Sequence, residues 1–313
     1  MKKYAIISDI HGNLPAFQAV MDDARDQNVD FYILAGDYYL CLQYPNEIID
    51  IIRNLENAFI IKGNNEQYFD ALQEQAQRTW ADGQFEALYW YYKTISPENH
   101  DFLRKLPPKI EFKEHGNPYM RVAHWSEELL NTALFNDLSG SSLLSCNKNS
   151  EINKKEYMQN KISAIEKSDG LSAVIEHLPM GAYIFGHTHF QWHYSFNGRL
   201  LINPGSCGLP VDFDNRAAYT ILEWNDGQLN VEERRITYDI DLLIKDLEES
   251  TLYKNAKVWS ELTRAALLTG TEQHTFFLKF AKKYANDIGD KVRPFSKKTW
   301  TKAHSLWCSS DIK

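Results

Sequence analysis

Tyr4-Ala5-Ile6-Ile7-Ser8-Asp9-Ile10-His11-Gly12-Asn13 opens the chain with an apolar run that stops at an aspartate, and a histidine follows two residues on. In an extended segment, residues i and i+2 point to the same side. Asp9 and His11 are therefore expected to reach together from the end of a buried strand into one space. Gly12 permits a tight turn or a close approach at that point. A carboxylate and an imidazole converging at a strand end suit a divalent metal. The pattern acquires weight only if other strands also end in ligand-type residues.

Working outward, several do. Residues 14–27 read as a helix, with Leu14, Phe17, Ala19, Val20 and Met21 mostly on one side and Pro15 in the first turn, where proline is tolerated. Phe31-Tyr32-Ile33-Leu34-Ala35 reads as a second buried strand that ends at Gly36-Asp37. A helix over about 45–54 carries Ile48, Ile49, Ile51 and Ile52, and Ala58-Phe59-Ile60-Ile61 then ends at Lys62-Gly63-Asn64-Asn65-Glu66. This rhythm predicts βαβ units and a parallel sheet. In such sheets ligands gather at the carboxyl ends of the strands, where Asp9, Asp37 and Asn64 fall.

Residues 66–106 read as helical and rich in aromatics that pack the helices together, and Pro107-Pro108 closes the block. Residues 119–124 predict a strand ending at His124. The stretch 136–170, rich in Ser, Asn and Lys, reads as a polar loop insertion. Tyr183-Ile184-Phe185 predicts a buried strand ending at Gly186-His187-Thr188-His189, which repeats the i, i+2 geometry of Asp9 and His11. The segments 191–196, 199–203, 217–224 and 228–236 are joined by the turn signals Asn197-Gly198 and Asp226-Gly227, and they predict an antiparallel second sheet. From Asp239 the pattern turns helical, with Phe276, Phe277, Phe280 and Tyr284 on a packing face.

Composition bounds the function classes. A chain of 313 residues with 43% hydrophobic side chains can bury a large core. Lys and Arg number 34 against 42 Asp and Glu, and the net charge of −8 argues against broad nonspecific binding to nucleic acid or anionic membrane. The basic run Lys291, Arg293, Lys297, Lys298 and Lys302 reads as a solvated tail. Cys41, Cys146, Cys207 and Cys308 are scattered without a CxxC pair, which fits a reducing compartment and no disulfide framework. Met1-Lys2-Lys3 lacks a following apolar region of signal-peptide length, and no stretch approaches a membrane span, so a cytoplasmic protein is expected.

Collected together, the strand ends offer Asp9, His11, Asp37, Asn64, His124, His187 and His189. Each alone has an ordinary structural account, but a whole series at successive strand ends does not arise easily by accident. Two carboxylates, four imidazoles and one amide exceed what one tetrahedral zinc takes. They suit two ions about 3.5–4 Å apart that share a bridging carboxylate and clamp a phosphoryl transfer. No thiolate is included, so a structural zinc site is not indicated. Mn, Fe and Zn all accept such a mixed set.

The ordered series Asp9-Ile10-His11-Gly12-Asn13, Gly36-Asp37, Gly63-Asn64-Asn65-Glu66, His124 and Gly186-His187-Thr188-His189 resembles that of calcineurin-like metallophosphoesterases. The resemblance runs from about Lys2 to Asp239, and Asn203-Pro204-Gly205-Ser206 resembles a loop of the bacterial small-phosphoesterase branch. It implies an α+β fold, a four-layer αββα sandwich over residues 1–239, followed by a helical C-terminal extension over 240–313. It also implies two divalent or mixed-valence ions. Asp9, His11 and His189 would hold one, Asn64, His124 and His187 the other, and Asp37 would bridge them. A hydroxide between the ions would attack phosphorus in line, without a covalent enzyme intermediate. The substrate would be a small phosphorylated molecule, a diester in preference to a monoester, because a diester carries one charge fewer.

Two departures from the family pattern stand out. Relatives usually carry histidine after the metal-binding asparagine, to protonate the leaving group, and here that position is Asn65. An amide donates a hydrogen bond but is no general acid near neutral pH. Relatives usually place glycine after the histidine matching His124, and here it is Trp125, a candidate border of the substrate pocket. Asn13 at a helix N-terminus and Arg216 are further candidate substrate contacts, while Lys62 is expected on the solvated surface. The competing reading is a non-catalytic scaffold that keeps the fold, as the retromer subunit resembling these enzymes does.

Overall fold

The computed structural model describes residues 2–72, 80–113, 119–125, 163, 169–225 and 228–309. Strand β1 (Lys2–Ile7) has its last four residues buried, as a central strand requires. It pairs in parallel with β2 (Phe31–Leu34), which pairs in parallel with β3 (Ala58–Ile60). Helices α1 (Leu14–Asp26) and α2 (Pro45–Arg53) make the two crossovers. On its other side β1 runs antiparallel to β9 (Ala217–Asn225), which forms a hairpin with β10 (Gln228–Ile236). The first sheet therefore has the order β10-β9-β1-β2-β3.

The second sheet has the order β4-β5-β6-β8-β7. It contains β4 (Lys109–Phe112), β5 (Tyr119–Ala123), β6 (Gly181–Ile184), β7 (Gln191–Phe196) and β8 (Arg199–Pro204). β5, β6 and β8 are mutually parallel, while β4 and β7 are antiparallel edges. The expectation of a separate antiparallel second sheet for residues 191–236 is thus corrected. The hairpins form, but one joins each mixed sheet, because a turn signal fixes a local pairing and not the edge on which the hairpin lands. Strand β4 was not anticipated, since its alternately exposed residues carry a weak apolar signal.

Between the sheets lies a core of alternate residues from both, including Tyr4, Ile6, Ile33, Ile61, Met120, Val122, Ile184 and Ile202. The opposite face of the first sheet packs on α1, α2 and the aromatic block, where α3 (Asn64–Leu72), α4 (Glu86–Thr94) and α5 (Pro97–Lys105) follow one another. Trp80, Trp90, Tyr91 and Phe69 are buried there, in line with a packing role for the block. The expected polar insertion at 136–170 lies almost wholly outside the described residues, as does the turn Asp226-Gly227. Helix α6 (Asp169–Glu176) leads into β6.

The C-terminal helices are α7 (Ile240–Glu249), α8 (Thr251–Asn255), α9 (Lys257–Thr269), α10 (His274–Asp287) and α11 (Lys297–Ser309). They divide between two cores. Leu243, Ile244, Leu247, Ala266 and Leu267 join the core of the first sheet, whereas Phe277, Phe295, Trp300 and Trp307 build a second one. The five basic side chains of the run at 291–302 are exposed, as a solvated run requires, but the segment is no tail. Its residues lead into and form α11, Lys297 pairs with Glu86 at 3.0 Å, and Thr299 and Trp300 are buried. No described helix is long and apolar enough to cross a membrane. Cys41, Cys207 and Cys308 are free thiols.

Asn13 is a fold residue, which corrects its expected contact with substrate. Its side chain is fully buried, Oδ1 caps α1 by accepting from Ala16 N at 3.1 Å, and Nδ2 donates to Gly208 O at 2.8 Å and Tyr238 OH at 3.1 Å. Asn13→Ala should cost about 2–4 kcal/mol in denaturant unfolding, the sum of a lost cap and buried acceptors left unpaired. Asn13→Asp keeps the capping oxygen but turns a second carboxylate oxygen toward the Gly208 carbonyl in a fully buried site, so it should cost at least as much.

Candidate metal centre

Five ligand-type residues at the strand ends share an uncommon backbone. Asp9, His11, Asp37, His187 and His189 have φ of 54°, 52°, 59°, 68° and 57°, the left-handed region. For non-glycine residues each such conformation costs of order 1–3 kcal/mol and persists only where the surroundings enforce it. The strain turns the chain sharply at each strand end and brings the side chains together. Gly63 and Gly186 allow the close approach, since a Cβ on Gly63 would strike Asp37 Oδ1 and one on Gly186 would strike Ser8 Oγ.

The seven sequence-selected residues converge. Asp9 Oδ1 lies 3.3 Å from His189 Nε2, 3.8 Å from His11 Nε2 and 3.9 Å from His124 Nε2. Asp37 Oδ2 lies 3.5 Å from His124 Nε2 and 4.0 Å from His11 Nε2, between the two groups. Asn64 Oδ1 sits 2.6 Å from His187 Nδ1 and 3.1 Å from His124 Nε2. Two sets, Asp9–His11–His189 and Asp9–Asp37–His124, each offer ligand atoms within 4.8 Å of one another, with Asp9 common to both. Buried carboxylates, imidazoles and an amide oxygen aimed at one space fit the hard-to-borderline divalent ions the motif series implies.

Neighbours fix the imidazoles. His124 Nδ1 bonds Ala35 O at 2.6 Å and His189 Nδ1 bonds Leu209 O at 2.7 Å. A carbonyl only accepts, so Nδ1 carries the proton in each and Nε2 faces the cluster. Burial opposes charging His124, yet the carboxylates of Asp37 and Asp9 outweigh it and push it up to about 10. His189 is held up to about 9 against burial, mainly by Asp9. Burial, reinforced by His124, pushes His187 down to about 4. Burial works against ionising Asp9, but the nearby His189 and His124 overcome it and hold its carboxyl well below the usual range.

The loops are tied to one another. Asp37 Oδ1 accepts from Asn65 N at 2.9 Å, which anchors the carboxylate on the first turn of α3 and leaves Oδ2 for the cluster. The fully desolvated Glu66 accepts from the backbone N–H groups of Asp37, Tyr38 and Gly63 at 3.0, 3.0 and 2.6 Å. Burial and the charge of Asp37 push its carboxyl up to about 7. In the Asn203–Ser206 loop, Asn203 Nδ2 donates to Gly186 O and Ser206 Oγ donates to Asp9 O, at 2.8 and 2.7 Å. That loop braces the Asp9 turn against the His187 turn.

Asn65 does not face open space. It is 2% exposed, and its Nδ2 donates to Tyr39 O at 3.1 Å and lies 3.4 Å from His11 Nδ1, while Oδ1 accepts from Asn64 at 3.0 Å. Trp125 is exposed, with its ring edge-to-face on His187 at 4.6 Å. Arg216 is exposed and pairs with Asp214, its Nε and Nη2 donating at 3.0 and 2.7 Å. Lys62 is partly exposed, and its ammonium donates to Arg104 O at 3.2 Å at the surface.

Sequence reasoning missed the wall behind His11. Cys41 Sγ lies 3.7 Å from His11 Nδ1. Leu40, with φ of 106°, holds a conformation unfavourable for any branched side chain. Its carbonyl accepts from Trp259 Nε1 at 2.9 Å, across 219 residues. Trp259 packs on His274 with the rings tilted at 45° and centroids 4.3 Å apart, and His274 Nε2 pairs with Thr263 Oγ1 at 3.1 Å. The positive-φ leucine is legible only in three dimensions, and nothing local in the sequence marks Trp259.

The stacked sheets with a ligand-type cluster at their strand ends define a metallophosphoesterase fold. The model of the calcineurin-like phosphoesterase superfamily domain matches residues 2–227, and the chain belongs to that family. A relative, the uncharacterized protein MJ0912 of Methanocaldococcus jannaschii, is 29% identical over 252 residues, covering 75% of this chain and 88% of that one. A metallophosphoesterase from Sphaerobacter thermophilus superposes with a TM-score of 0.56 at 22% identity, over 86% of this chain and 99% of that one. Protein PH1004 from Pyrococcus horikoshii OT3 does so at 0.55 and 17%, over 87% and 100%. These two structures share the fold, extended C-terminally beyond the family domain.

Two outcomes follow for the wall. Trp259→Phe removes one donor and little volume, so it should cost about 1–2 kcal/mol in denaturant unfolding. It should also weaken metal binding by calorimetry roughly 10-fold or more, the usual effect of disturbing a ligand's support. Unchanged metal affinity would show that the loop stays in place without this bond. Burial holds His274 down to about 4, below its ordinary 6.5. Its unfolded form therefore takes up a proton first, and the stability it contributes is complete above about 6.5 and lost as pH falls toward 4. His274→Gln should flatten the pH dependence of the melting temperature across that window.

Proposed function

We propose that this protein hydrolyses phosphate esters, diesters in preference to monoesters, at a two-metal centre formed by Asp9, His11, Asp37, Asn64, His124, His187 and His189. The observation that carries this reading is the convergence of all seven side chains on one space, five of them on strained backbone. Asp9, His11 and His189 would hold one ion, Asn64, His124 and His187 the other, with Asp37 between. Mn, Fe and Zn each suit that donor set. Ions held there would lower the pKa of a water and polarise the phosphoryl oxygens.

The chain's own residues set the geometry. Asp37 is oriented by Asn65 N, and His124 and His189 by backbone carbonyls, so the donors need little rearrangement to take up a cation. Asn65 supplies no proton to a leaving group, because its amide is spent on Tyr39 O and the neighbouring side chains. Arg216 pairs with Asp214, and Lys62 donates to Arg104 O. A diester with a good leaving group makes the smallest demand on such a site.

Purified protein loaded with Mn²⁺ should turn over bis-p-nitrophenyl phosphate faster than p-nitrophenyl phosphate. Asp37→Ala should lower kcat by roughly three orders of magnitude, the several kcal/mol a metal clamp contributes. Absence of bound metal together with absence of turnover of either ester would sink the proposal and favour a scaffold.

A further inference from the structure

We propose that Tyr68 and Trp125 form the two sides of a ring-binding subsite beside the candidate metal centre, and that the ester hydrolysed there carries a flat aromatic or heteroaromatic group. This inference rests on the phosphoesterase reading above and adds the class of substrate.

The aromatic side chains of the block around α3–α5 are mostly spent on packing. Phe69, for example, is buried against Tyr39 at 4.9 Å and His100 at 5.3 Å. Its neighbour Tyr68 points a different way and is 46% exposed. Trp125 is 38% exposed. Large exposed rings are uncommon among the described residues, and these two are each attached to a ligand-type residue of the centre. Tyr68 lies one helical turn beyond Asn64 on α3, so the two side chains share one face of the helix. Trp125 sets its ring edge-to-face on His187, centroid to centroid 4.6 Å at 84°.

Asn64 and His187 themselves touch, Oδ1 to Nδ1 at 2.6 Å. Trp125 thus touches His187, His187 touches Asn64, and Tyr68 follows Asn64 by one turn on the same helix face, so both exposed rings belong to the same half of the cluster. Trp125 is held by His187, and both rings keep surface open to solvent. That arrangement is poor packing for a free surface and suits a planar guest, because aromatic faces stack with any base or aryl ring irrespective of its hydrogen-bonding pattern. Neither side chain brings a charge, so the subsite selects by shape and polarisability while the metal-ligand cluster takes the phosphate.

Calorimetry on Mn²⁺-loaded protein tests this with three probes: inorganic phosphate, ribose 5-phosphate and adenosine 5′-monophosphate. The last two differ only by the base. The nucleotide should bind about 10-fold or more tighter than ribose 5-phosphate, the scale of one base stacked on aromatic side chains. Trp125→Leu and Tyr68→Leu should each remove most of that preference, read as the ratio of nucleotide to ribose 5-phosphate affinity, in which any change in phosphate affinity transmitted through His187 or Asn64 cancels. Tyr68→Phe, which keeps the ring and loses the hydroxyl, should retain the preference. Equal affinity for the two esters, or leucine variants that keep the preference, would overturn the subsite. If phosphate binds and esters are hydrolysed without a ring preference, the subsite alone fails. If phosphate and both esters all fail to bind, the phosphoesterase reading fails with it.

Discussion

Two carboxylates, Asp9 and Asp37, are buried side by side, 0% and 2% exposed. Removing a carboxylate from water costs several kcal/mol unless charge and hydrogen bonds replace the lost hydration. Here the replacement comes from every direction. His187 N donates to Asp9 at 3.0 Å, Asn65 N donates to Asp37, and three imidazoles bring Nε2 to within about a hydrogen bond or an ion-pair distance of the two. Each donor hangs from a different loop. The sheets bring those loops to one edge, and the carboxylates make the arrangement of loops worth keeping.

The loops in turn cannot stand alone. Their left-handed residues would relax if the surroundings loosened, since each is individually unfavourable. Three ties prevent it: Glu66 binding three backbone N–H groups, the Asn203–Ser206 loop joining two ligand turns, and Trp259 holding the Leu40 carbonyl. The third comes from the C-terminal helices. Part of that extension is therefore built into the first sheet's core and into the rear wall of the centre, whereas its Phe277–Trp300–Trp307 cluster forms a separate core.

Much of this was legible in the sequence because strand ends are local events. An apolar run that stops at Asp9 or Asp37, or at His187-Thr188-His189, announces both the strand and the direction of its last side chains. The parallel β1-β2-β3 order followed from the βαβ rhythm. What escaped was non-local or weakly patterned. β4 is a half-exposed edge strand. The hairpins β7–β8 and β9–β10 were visible, but not their assignment to different sheets. Asn13 looked like an anion contact at a helix start, and proved to be the cap itself, because the same oxygen that would greet a ligand accepts from Ala16 N. The Trp259–Leu40 bond joins residues too distant for any sequence pattern to connect.

Asn65 shows how such non-local ties bear on chemistry. Its amide bonds Tyr39 O, accepts from Asn64, and approaches His11. It therefore stitches the Tyr38–Leu42 loop to α3 at the place where Leu40 is most strained. Tyr39 adds a second stitch, its hydroxyl donating to Asn65 O at 2.7 Å. A neutral imidazole has one donor and one acceptor, so serving both Tyr39 O and the Asn64 donor would spend both ring nitrogens and leave none to face a leaving group. The residue that would give a proton and the residue that knits this loop make incompatible demands on position 65. The chain satisfies the second, and the support of His11 and the absence of a side-chain acid at that position are consequences of the same amide.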